Sequence, residues 1–201
     1  MFHLRENHSA TVPDAVMRGM FAARKAVFID LLKWDVPVLD GRFEVDQFDD
    51  AHAVYLILTD DRDQHLASAR LLPTTRPHIL GNLFPELCES APPRQANTFE
   101  ITRFCLDRSL TACERRAARD QLIVALVEHA LTHCITSYVA IAAMSWFQQI
   151  LSFGWHCRPL GLPQPIGGEQ VAAIGIEIDA DTPALLAAAG VITVPEHRAA
   201  A

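Results

Sequence analysis

An apolar run of five residues, Val54-Tyr55-Leu56-Ile57-Leu58, restricts the fold more than any other stretch of the chain. Successive side chains of a strand point to opposite faces of a sheet, so a strand without polar positions must be buried on both faces. Other layers must therefore cover both sides of that sheet. The acidic cluster at residues 60–63 turns the chain and residues 65–72 return as a second strand, which together predict a β-hairpin.

The remaining pattern supplies the covering layers. The first helix starts at Val12-Pro13-Asp14 and repeats apolar residues at helical spacing up to Leu31. A third strand follows at residues 98–106, a long helix at 112–136, a fourth strand at 138–143 and a helix at 145–153. Two short strands at 156–160 and 171–178 and a helix at 182–189 complete the order. At 201 residues, this order predicts one α/β domain, a three-layer sandwich with a mixed central sheet flanked by helices.

Composition excludes several classes of function. A net charge of −7 argues against nucleic-acid binding, which requires a basic face. The chain contains no apolar run long enough to span a bilayer and no signal-peptide pattern at its N-terminus, so we expect a cytoplasmic protein. The five cysteines form no CxxC pair and the nine histidines form no HExxH motif. We therefore expect free thiols and no metal site.

The stretch between residues 24 and 49 combines aromatic and charged side chains. Arg24 and Phe28 lie one turn apart on the first helix, and Trp34 follows in a turn broken by proline and glycine. Further on come three carboxylates, those of Glu44, Asp46 and Asp49. Buried carboxylates require cationic partners, for which the downstream arginines are candidates. The pattern suits a ligand that is aromatic, cationic and zwitterionic, although a purely structural ion-pair network is the alternative.

The third strand carries two further candidate residues. Its alternation predicts Glu100 and Thr102 on one face, and Phe99, Ile101 and Arg103 on the other.

Three spaced motifs, each with charged residues, follow one another along the chain. They are E-x-D-x-F-D at residues 44–49, R-L-x-P-T-T-x-P at 70–77 and F-E-x-x-R-F at 99–104. Together with Arg24, Phe28 and Trp34, this arrangement resembles the acyl-homoserine-lactone synthases, the LuxI-type autoinducer synthases of bacterial quorum sensing. The resemblance is strong from about residue 20 to 106 and collinear to about 178. Phe99 stands where the family usually has Trp, and Thr102 where it usually has Ser.

The resemblance implies an acetyltransferase-like (GNAT-like) α/β fold. It also implies that the amine of S-adenosylmethionine (SAM) attacks an acyl thioester on acyl carrier protein or coenzyme A. The methionine carboxylate then closes on its own Cγ, which expels methylthioadenosine (MTA) and leaves the lactone. SAM is consumed, so it is a substrate and no cofactor is expected. A separate LuxR-type receptor would read the diffusible product.

Residue roles follow from the same resemblance. Either Glu44 or Glu100 would take the proton of the attacking amine, and the sequence leaves this choice open. Phe28, Trp34, Asp46 and Asp49 suit the sulfonium and ammonium groups of SAM. The cationic side chains that neutralise the carboxylates and hold the substrate carboxylate would be those of Arg24, Arg70 and Arg103.

The acyl chain would lie in a tunnel between the sheet and the later helices, and we expect Phe84, Ile141, Met144 and Phe147 to line it. Taken alone, Phe28, Phe84 and Phe104 could equally be core residues. The run 139–143 around Ile141 is entirely apolar, at the place where some members carry a threonine that binds a 3-oxo group. We therefore predict an acyl chain without a 3-oxo group.

The junction at residues 107–116 contains no glycine, so it lacks the pyrophosphate loop of ordinary acetyltransferases. It does contain a basic cluster that could dock an acidic acyl carrier protein. The alternative is a solvated helix face that pairs with Glu114 and Asp120, and coenzyme A thioesters also stay possible donors. The cluster consists of Arg108, Arg115, Arg116 and Arg119.

Two other functions share parts of this pattern. A general N-acetyltransferase using acetyl-CoA would have the same fold, but the missing phosphate loop and the pattern at residues 24–49 disfavour it. A SAM-binding sensor without catalytic activity would keep Phe28 and Trp34 and would require neither Glu44 nor Glu100.

Overall fold

The computed structural model describes residues 1–5 and 14–192, and its centre is a mixed sheet of eight strands. The strands of the chain are β1 (Phe2–Arg5), β2 (Val38–Leu39), β3 (Phe43–Glu44), β4 (Val54–Thr59), β5 (His65–Pro73), β6 (Thr98–Leu106), β7 (Ser137–Ala143), β8 (His156–Pro159), β9 (Gln164–Ile166) and β10 (Glu169–Glu177). The sheet order is β1-β4-β5-β6-β7-β10-β8, with β9 paired to β10, while β2 and β3 form a separate hairpin. The predicted fold class is confirmed.

Helices cover both faces of this sheet. They are α1 (Asp14–Arg24), a π-helix (Lys25–Leu31), α2 (Ile79–Leu83), a 3-10 turn (Pro85–Leu87), α3 (Ala112–Thr132), α4 (Met144–Leu151) and α5 (Thr182–Ala188). Val12 and Pro13, the predicted helix start, lie outside the described residues. A search of the described part of the chain for a helix that could cross a membrane finds none.

Strand β4 shows why two layers are required. Val54, Leu56 and Leu58 pack into the large core under α3, whereas Tyr55 and Ile57 pack into a second cluster beneath α1. All six residues of β4 are buried, as the unbroken apolar run predicts.

Strands β6 and β7 separate along their length, and this separation positions the site. They pair in parallel from Thr98 with Ser137 to Ile101 with Ala140. Both strands continue beyond that point, β6 to Leu106 and β7 to Ala143. The ends of β6 and β7 therefore leave a gap in the sheet.

A β-bulge in β6 changes the face on which Arg103 lies. Ser68 of β5 pairs with Cys105 and Arg70 pairs with Thr102, so Ala69 opposes two residues of β6. Arg103 has φ of 50°, a conformation that residues other than glycine seldom adopt. The prediction that Arg103 shares a face with Phe99 and Ile101 is therefore wrong. The extra residue places its side chain towards the acidic residues under α1.

The first helix also departs from the expected pattern. It widens into the π-helix after Arg24, which shifts the helical phase, and Leu31 is 52% exposed instead of facing the core. Strands β1, β2, β3 and β9 were not predicted from the sequence. They are two to four residues long, too short to show a clear period.

Candidate active site

Three arginines and three carboxylates form a closed ring of ion pairs between α1 and the sheet. Arg24 donates from Nε to Glu44 over 2.5 Å, and from Nη1 and Nη2 to both oxygens of Asp49 at 2.8 and 2.9 Å. Both carboxylates are almost fully buried. Each residue of the ring contacts the next one. The spatial order around the ring is Arg24, Glu44, Arg103, Asp46, Arg70 and Asp49, and Asp49 contacts Arg24 again.

The other two arginines of the ring, Arg70 and Arg103, also each contact two carboxylates. Arg70 binds both oxygens of Asp46 at 2.7 and 3.0 Å and lies 2.8 Å from Asp49. Arg103 donates to Glu44 at 2.9 and 3.1 Å and to Asp46 at 2.7 Å. Bidentate geometry of this kind fixes the relative orientation of the groups as well as their charge. The ring as a whole is electrically neutral.

Backbone and side-chain hydrogen bonds hold the acidic loop in place. The backbone N–H of Asp46 donates to Asp49 at 2.8 Å, and that of Phe48 donates to Asp46 at 2.8 Å. The Tyr55 hydroxyl on β4 donates to Asp49 at 2.8 Å. Tyr55 is a member of the site that sequence reasoning missed, because its position in an apolar strand gave no sign of a polar contact.

Two of the ring carboxylates, Asp46 and Asp49, have a lowered pKa and are ionised at neutral pH. Burial alone would raise the pKa of Asp49, but the hydrogen bonds from Arg24 and the charge of Arg70 hold it well below its usual range. The pKa of Asp46 is lowered in the same way by Arg70 and Arg103, against the effect of burial. Arg24 is itself buried, yet Asp49 and Glu44 raise its pKa.

Glu100 has a different environment from the ring carboxylates. It is fully buried, and its two oxygens accept the backbone N–H groups of Ile79 and Leu80 at 2.7 and 2.9 Å. Across the part of the chain that the structure describes, it makes no ion pair. Burial raises the pKa of Glu100 to about 7, although the two backbone hydrogen bonds oppose this shift. It can therefore exchange a proton near neutral pH.

A cavity of about 610 Å³ occupies the gap between β6 and β7 and extends to both faces of the sheet. Residues 101–104 and 106 of β6 and residues 140–143 of β7 form its sides. Its wall on the α1 side consists of Val27, Phe28, Leu31, Leu32 and Trp34. Its wall on the α3 side includes Arg115, Arg116, Arg119, Ile123, Leu126, Ser145, Trp146, Gln149, Ile150, Phe153, Trp155 and Ile176.

An aromatic pair covers Arg103 at the α1 side of this cavity. The rings of Phe28 and Trp34 stack with centroids 4.8 Å apart and planes inclined by 22°. The guanidinium carbon of Arg103 lies 5.6 Å from the Phe28 centroid and 5.7 Å from the Trp34 centroid. These distances are within the range of cation–π attraction. Of the three ring arginines, Arg103 is the one that lines the cavity.

The structure brings together the residues predicted to bind SAM, but it separates the residues predicted for the tunnel. Ile141 lines the cavity, whereas Phe84, Met144 and Phe147 are not among the residues that form its walls. Phe84 packs on a separate cluster beside α2, Met144 points to solvent and Phe147 is buried in the main core. Their assignment to this cavity is corrected, because α4 faces it with Ser145, Trp146, Gln149 and Ile150 instead.

The predicted basic cluster lies at the start of α3 and is only partly available to a partner. Arg119 is half of an ion pair with Asp120, and Arg115 donates to the carbonyl oxygens of Asp107 and Arg108. Arg108 donates to the carbonyl oxygen of Ala26. Arg116 is exposed, 3.8 Å from Asp120. The alternative pairing with Asp120 is therefore present, while Glu114 is engaged elsewhere.

Sequence reasoning missed the residues that line the inner part of the cavity. Ile123, Leu126, Phe153, Trp155 and Ile176 belong to α3, to the turn after α4 and to β10. Each is apolar and would fit any core, so the signal that could have identified them exists only in the tertiary structure.

A mixed sheet that splits between β6 and β7, with helices on both faces and a cavity across the split, has the GNAT-like fold. A solved acyl-CoA N-acyltransferase from Pseudomonas aeruginosa shares the fold, with a TM-score of 0.59 at 15% identity, over 89% of this chain and 99% of that one.

The more similar proteins define the family. The autoinducer synthase family model matches residues 8–185. An acyl-homoserine-lactone synthase from Ralstonia nicotianae is 33% identical over 92% of this chain and 93% of its own length. One from Aliivibrio fischeri is 29% identical over 79% and 83%. The chain therefore belongs to the autoinducer synthase family, and it is an acyltransferase.

Two solved structures support the same assignment. BjaI, a CoA-dependent acyl-homoserine lactone synthase solved with SAM and isopentyl-CoA, superimposes with a TM-score of 0.85 at 26% identity, over 94% of this chain and 89% of that one. TofI, solved with an inhibitor and MTA, gives a TM-score of 0.79 at 29% identity, over 93% and 96%.

Proposed function

We propose that this protein synthesises an N-acyl-L-homoserine lactone from SAM and an acyl thioester, and releases MTA. The observation that carries the proposal is the continuous cavity that runs from Arg103 and its aromatic pair, past β6 and β7, into an apolar interior. One end suits a cationic amino acid and the other suits a hydrocarbon chain. Because both substrates are cytoplasmic metabolites, we place the reaction in the cytoplasm.

The α1 side of the cavity is proposed to hold the methionine part of SAM. Phe28 and Trp34 already attract a cation, the guanidinium of Arg103, and a sulfonium group can take the same kind of contact. Arg103 faces the cavity and is suited to bind the substrate carboxylate through its guanidinium. The neutral ring behind it fixes its position without leaving an excess charge.

Glu100 is proposed as the base that takes the proton from the amine of SAM. Both oxygens of Glu44, the alternative, are occupied by N–H groups of Arg24 and Arg103. Glu100 makes no such contacts with described arginines, and its pKa of about 7 suits proton transfer near neutral pH. Glu100 is not among the residues that line the cavity, although the next two residues of β6, Ile101 and Thr102, do line it, so we propose that an intervening water relays the proton.

The chemical sequence then balances without an added reactant. The neutral amine attacks the thioester carbonyl, an amide forms and the carrier thiol leaves with a proton. The substrate carboxylate, held by Arg103, attacks Cγ and displaces the sulfur of MTA, which takes back the electron pair of the broken bond and loses its positive charge. Holding both reacting groups in one cavity supplies the proximity that such a closure requires.

An acyl carrier protein is the proposed acyl donor. In acetyltransferases that bind coenzyme A, free backbone N–H groups at a helix start can bind the diphosphate. Here Glu114 occupies the start of α3: its carboxylate accepts the backbone N–H of Thr111 at 2.8 Å and the Thr111 hydroxyl at 2.7 Å. A negative charge at this place opposes a diphosphate, while the exposed Arg116 beside the cavity favours an acidic protein.

The acyl group is proposed to lack a 3-oxo substituent. Residues 139–143 of β7 offer no side-chain hydrogen-bond donor, as the sequence predicts. The Thr102 hydroxyl, which also faces the cavity, already accepts from Arg70 Nε at 2.9 Å and contacts the Arg70 carbonyl at 3.3 Å. It therefore has no free proton to offer a ketone.

Mass spectrometry of a reaction with SAM and a mixed panel of acyl-carrier and acyl-CoA thioesters tests the proposal. The panel contains plain and 3-oxo chains of each length. The expected products are a plain N-acyl-homoserine lactone and an equimolar amount of MTA. Acetylated amine from acetyl-CoA without lactone would contradict the proposed function, as would SAM binding with no product from any donor. Mainly 3-oxo lactone would contradict only the choice of acyl group.

A further inference from the structure

The cavity has an open end and a closed end that differ in exposure. At the open end, Arg116 and Trp146 are exposed to solvent. At the closed end, Leu126 is 1% exposed, Phe153 3% and Trp155 6%. A chain that enters beside Arg116 therefore points towards the two aromatic residues.

Phe153 and Trp155 form a rigid pair, called here the aromatic wall. Their rings meet edge to face, with centroids 5.7 Å apart and planes at 80°. The indole N–H of Trp155 donates to the carbonyl oxygen of Ile150 at 2.9 Å, which ties the wall to the last turn of α4. The guanidinium of Arg119 lies 5.1 Å from the Phe153 ring centroid. Each ring of the wall therefore has a further contact, Trp155 with α4 and Phe153 with α3.

The glycine between the two rings fixes the turn that presents them. Gly154 has φ of 86°, and a Cβ at this position would lie 2.8 Å from the Leu185 carbonyl oxygen and 2.9 Å from Ala189 Cβ. The turn that carries both rings therefore packs directly on α5, and only glycine fits at its centre.

We propose that the aromatic wall sets the length of the longest acyl chain that the enzyme accepts, an inference that rests on the proposed function. Trp155, the larger of the two residues, determines the limit. Each methylene that enters the apolar interior gains the free energy of burial, which raises kcat/KM by about fourfold per methylene. A chain whose end reaches the wall gains nothing further, because the packed rings offer neither volume nor an easy displacement.

Substitution of Trp155 tests the inference. The measurement is kcat/KM for plain acyl thioesters of increasing length with wild type, Trp155→Phe and Trp155→Ala. In wild type we expect a rise of about fourfold per methylene, followed by a sharp fall. Trp155→Phe moves the fall to longer chains, and Trp155→Ala moves it further. Leu151→Ala is the control, since Leu151 is exposed at the end of α4, close to Trp155 in the chain, and does not line the cavity.

The outcomes separate a limit on chain length from a general loss of structure. A purely structural role would lower kcat/KM for all chains in proportion and leave the preferred length unchanged, and that result in either folded variant overturns the inference. Should Trp155→Ala fail to fold, Trp155→Phe, which keeps an aromatic ring against Phe153, decides the question. A wild-type protein that makes no lactone from any chain would instead refute the proposed function.

Discussion

On one face of the sheet, α1 and the acidic loop enclose a ring in which every charged group has two partners of opposite charge. On the other face, α3, α4 and the aromatic wall enclose the apolar part of the cavity. The two regions meet at the bulge in β6, where Arg103 belongs to the ring and lines the cavity. One region fixes geometry through contacts, and the other provides space.

This difference teaches what each region can tolerate. Loss of one partner from the ring leaves a buried charge without compensation, so its main consequence is instability. A smaller side chain in the cavity wall enlarges the space available to a ligand, so its main consequence is a change in substrate specificity. The four predictions below test that separation.

The largest effect is expected from Arg70→Ala. This change removes the Arg70 guanidinium from the buried carboxylates of Asp46 and Asp49, so we expect the free energy of unfolding to fall by about 3–5 kcal/mol. Urea denaturation measures it. Arg116→Ala is the control, because Arg116 is exposed and its removal should change stability by no more than about 0.5 kcal/mol. Equal small losses in both variants would show that the ring contributes no structural stability.

Glu100→Gln should lower kcat by about 100-fold or more, since an amide cannot take the proton from the amine of SAM. In wild type, kcat/KM should fall as the pH drops below about 7, because the base must be ionised and burial raises the pKa of Glu100 to about 7. This step in the pH profile should be absent from the residual activity of the variant. Unaltered kcat would move the role of base to Glu44, which remains in the ring.

Trp34→Ala should raise KM for SAM by roughly 2-fold to 30-fold. This range corresponds to the loss of a cation–π contact that contributes about 0.5–2 kcal/mol. KM for the acyl donor should stay the same, because Trp34 stacks on Phe28 at the α1 side of the cavity. Trp146→Ala is the matched control from the α4 wall and should leave KM for SAM unaltered. An equal increase in both variants would remove the special role of the aromatic pair.

The smallest effect concerns the donor. Arg116→Glu should raise KM for carrier-bound donor by at most about fivefold at low ionic strength and by less at high salt, because an exposed ion pair contributes no more than about 1 kcal/mol and is screened by salt. Adding Arg115→Glu should increase the effect, although Arg115 also holds the carbonyl groups of residues 107 and 108. KM for free acyl-CoA serves as the comparison. Unchanged kinetics with the carrier-bound donor would exclude docking at this surface.

Much of the charged region could be predicted from the sequence. The local pattern predicts the positions of β4 and β5. The spaced motifs contain five of the six ring residues, and the sixth, Arg24, was predicted from its place beside Phe28 on the first helix. The face of Arg103 could not be predicted, since a bulge adds one residue and reverses the alternation on which the argument depended. The exposure of Leu31 was missed for a similar reason, the shift of phase in the π-helix.

The apolar region was less predictable. Its walls come from elements far apart in sequence, and a leucine or tryptophan there carries no local sign that it faces a cavity. Ile141 does line the cavity, because it lies on β7, next to the gap in the sheet. Phe84, Met144 and Phe147 were assigned incorrectly, because the rotation of α4 and the position of α2 depend on tertiary packing.

A crossed kinetic experiment tests the division between the two regions most directly. KM for SAM and the preferred acyl length are both measured in wild type, Trp34→Ala, Trp155→Phe and the double variant. The account predicts that Trp34→Ala changes only the first quantity, that Trp155→Phe changes only the second, and that the double variant shows both changes added. If each single variant altered both quantities, the two regions would not bind separate substrates and the account would be wrong.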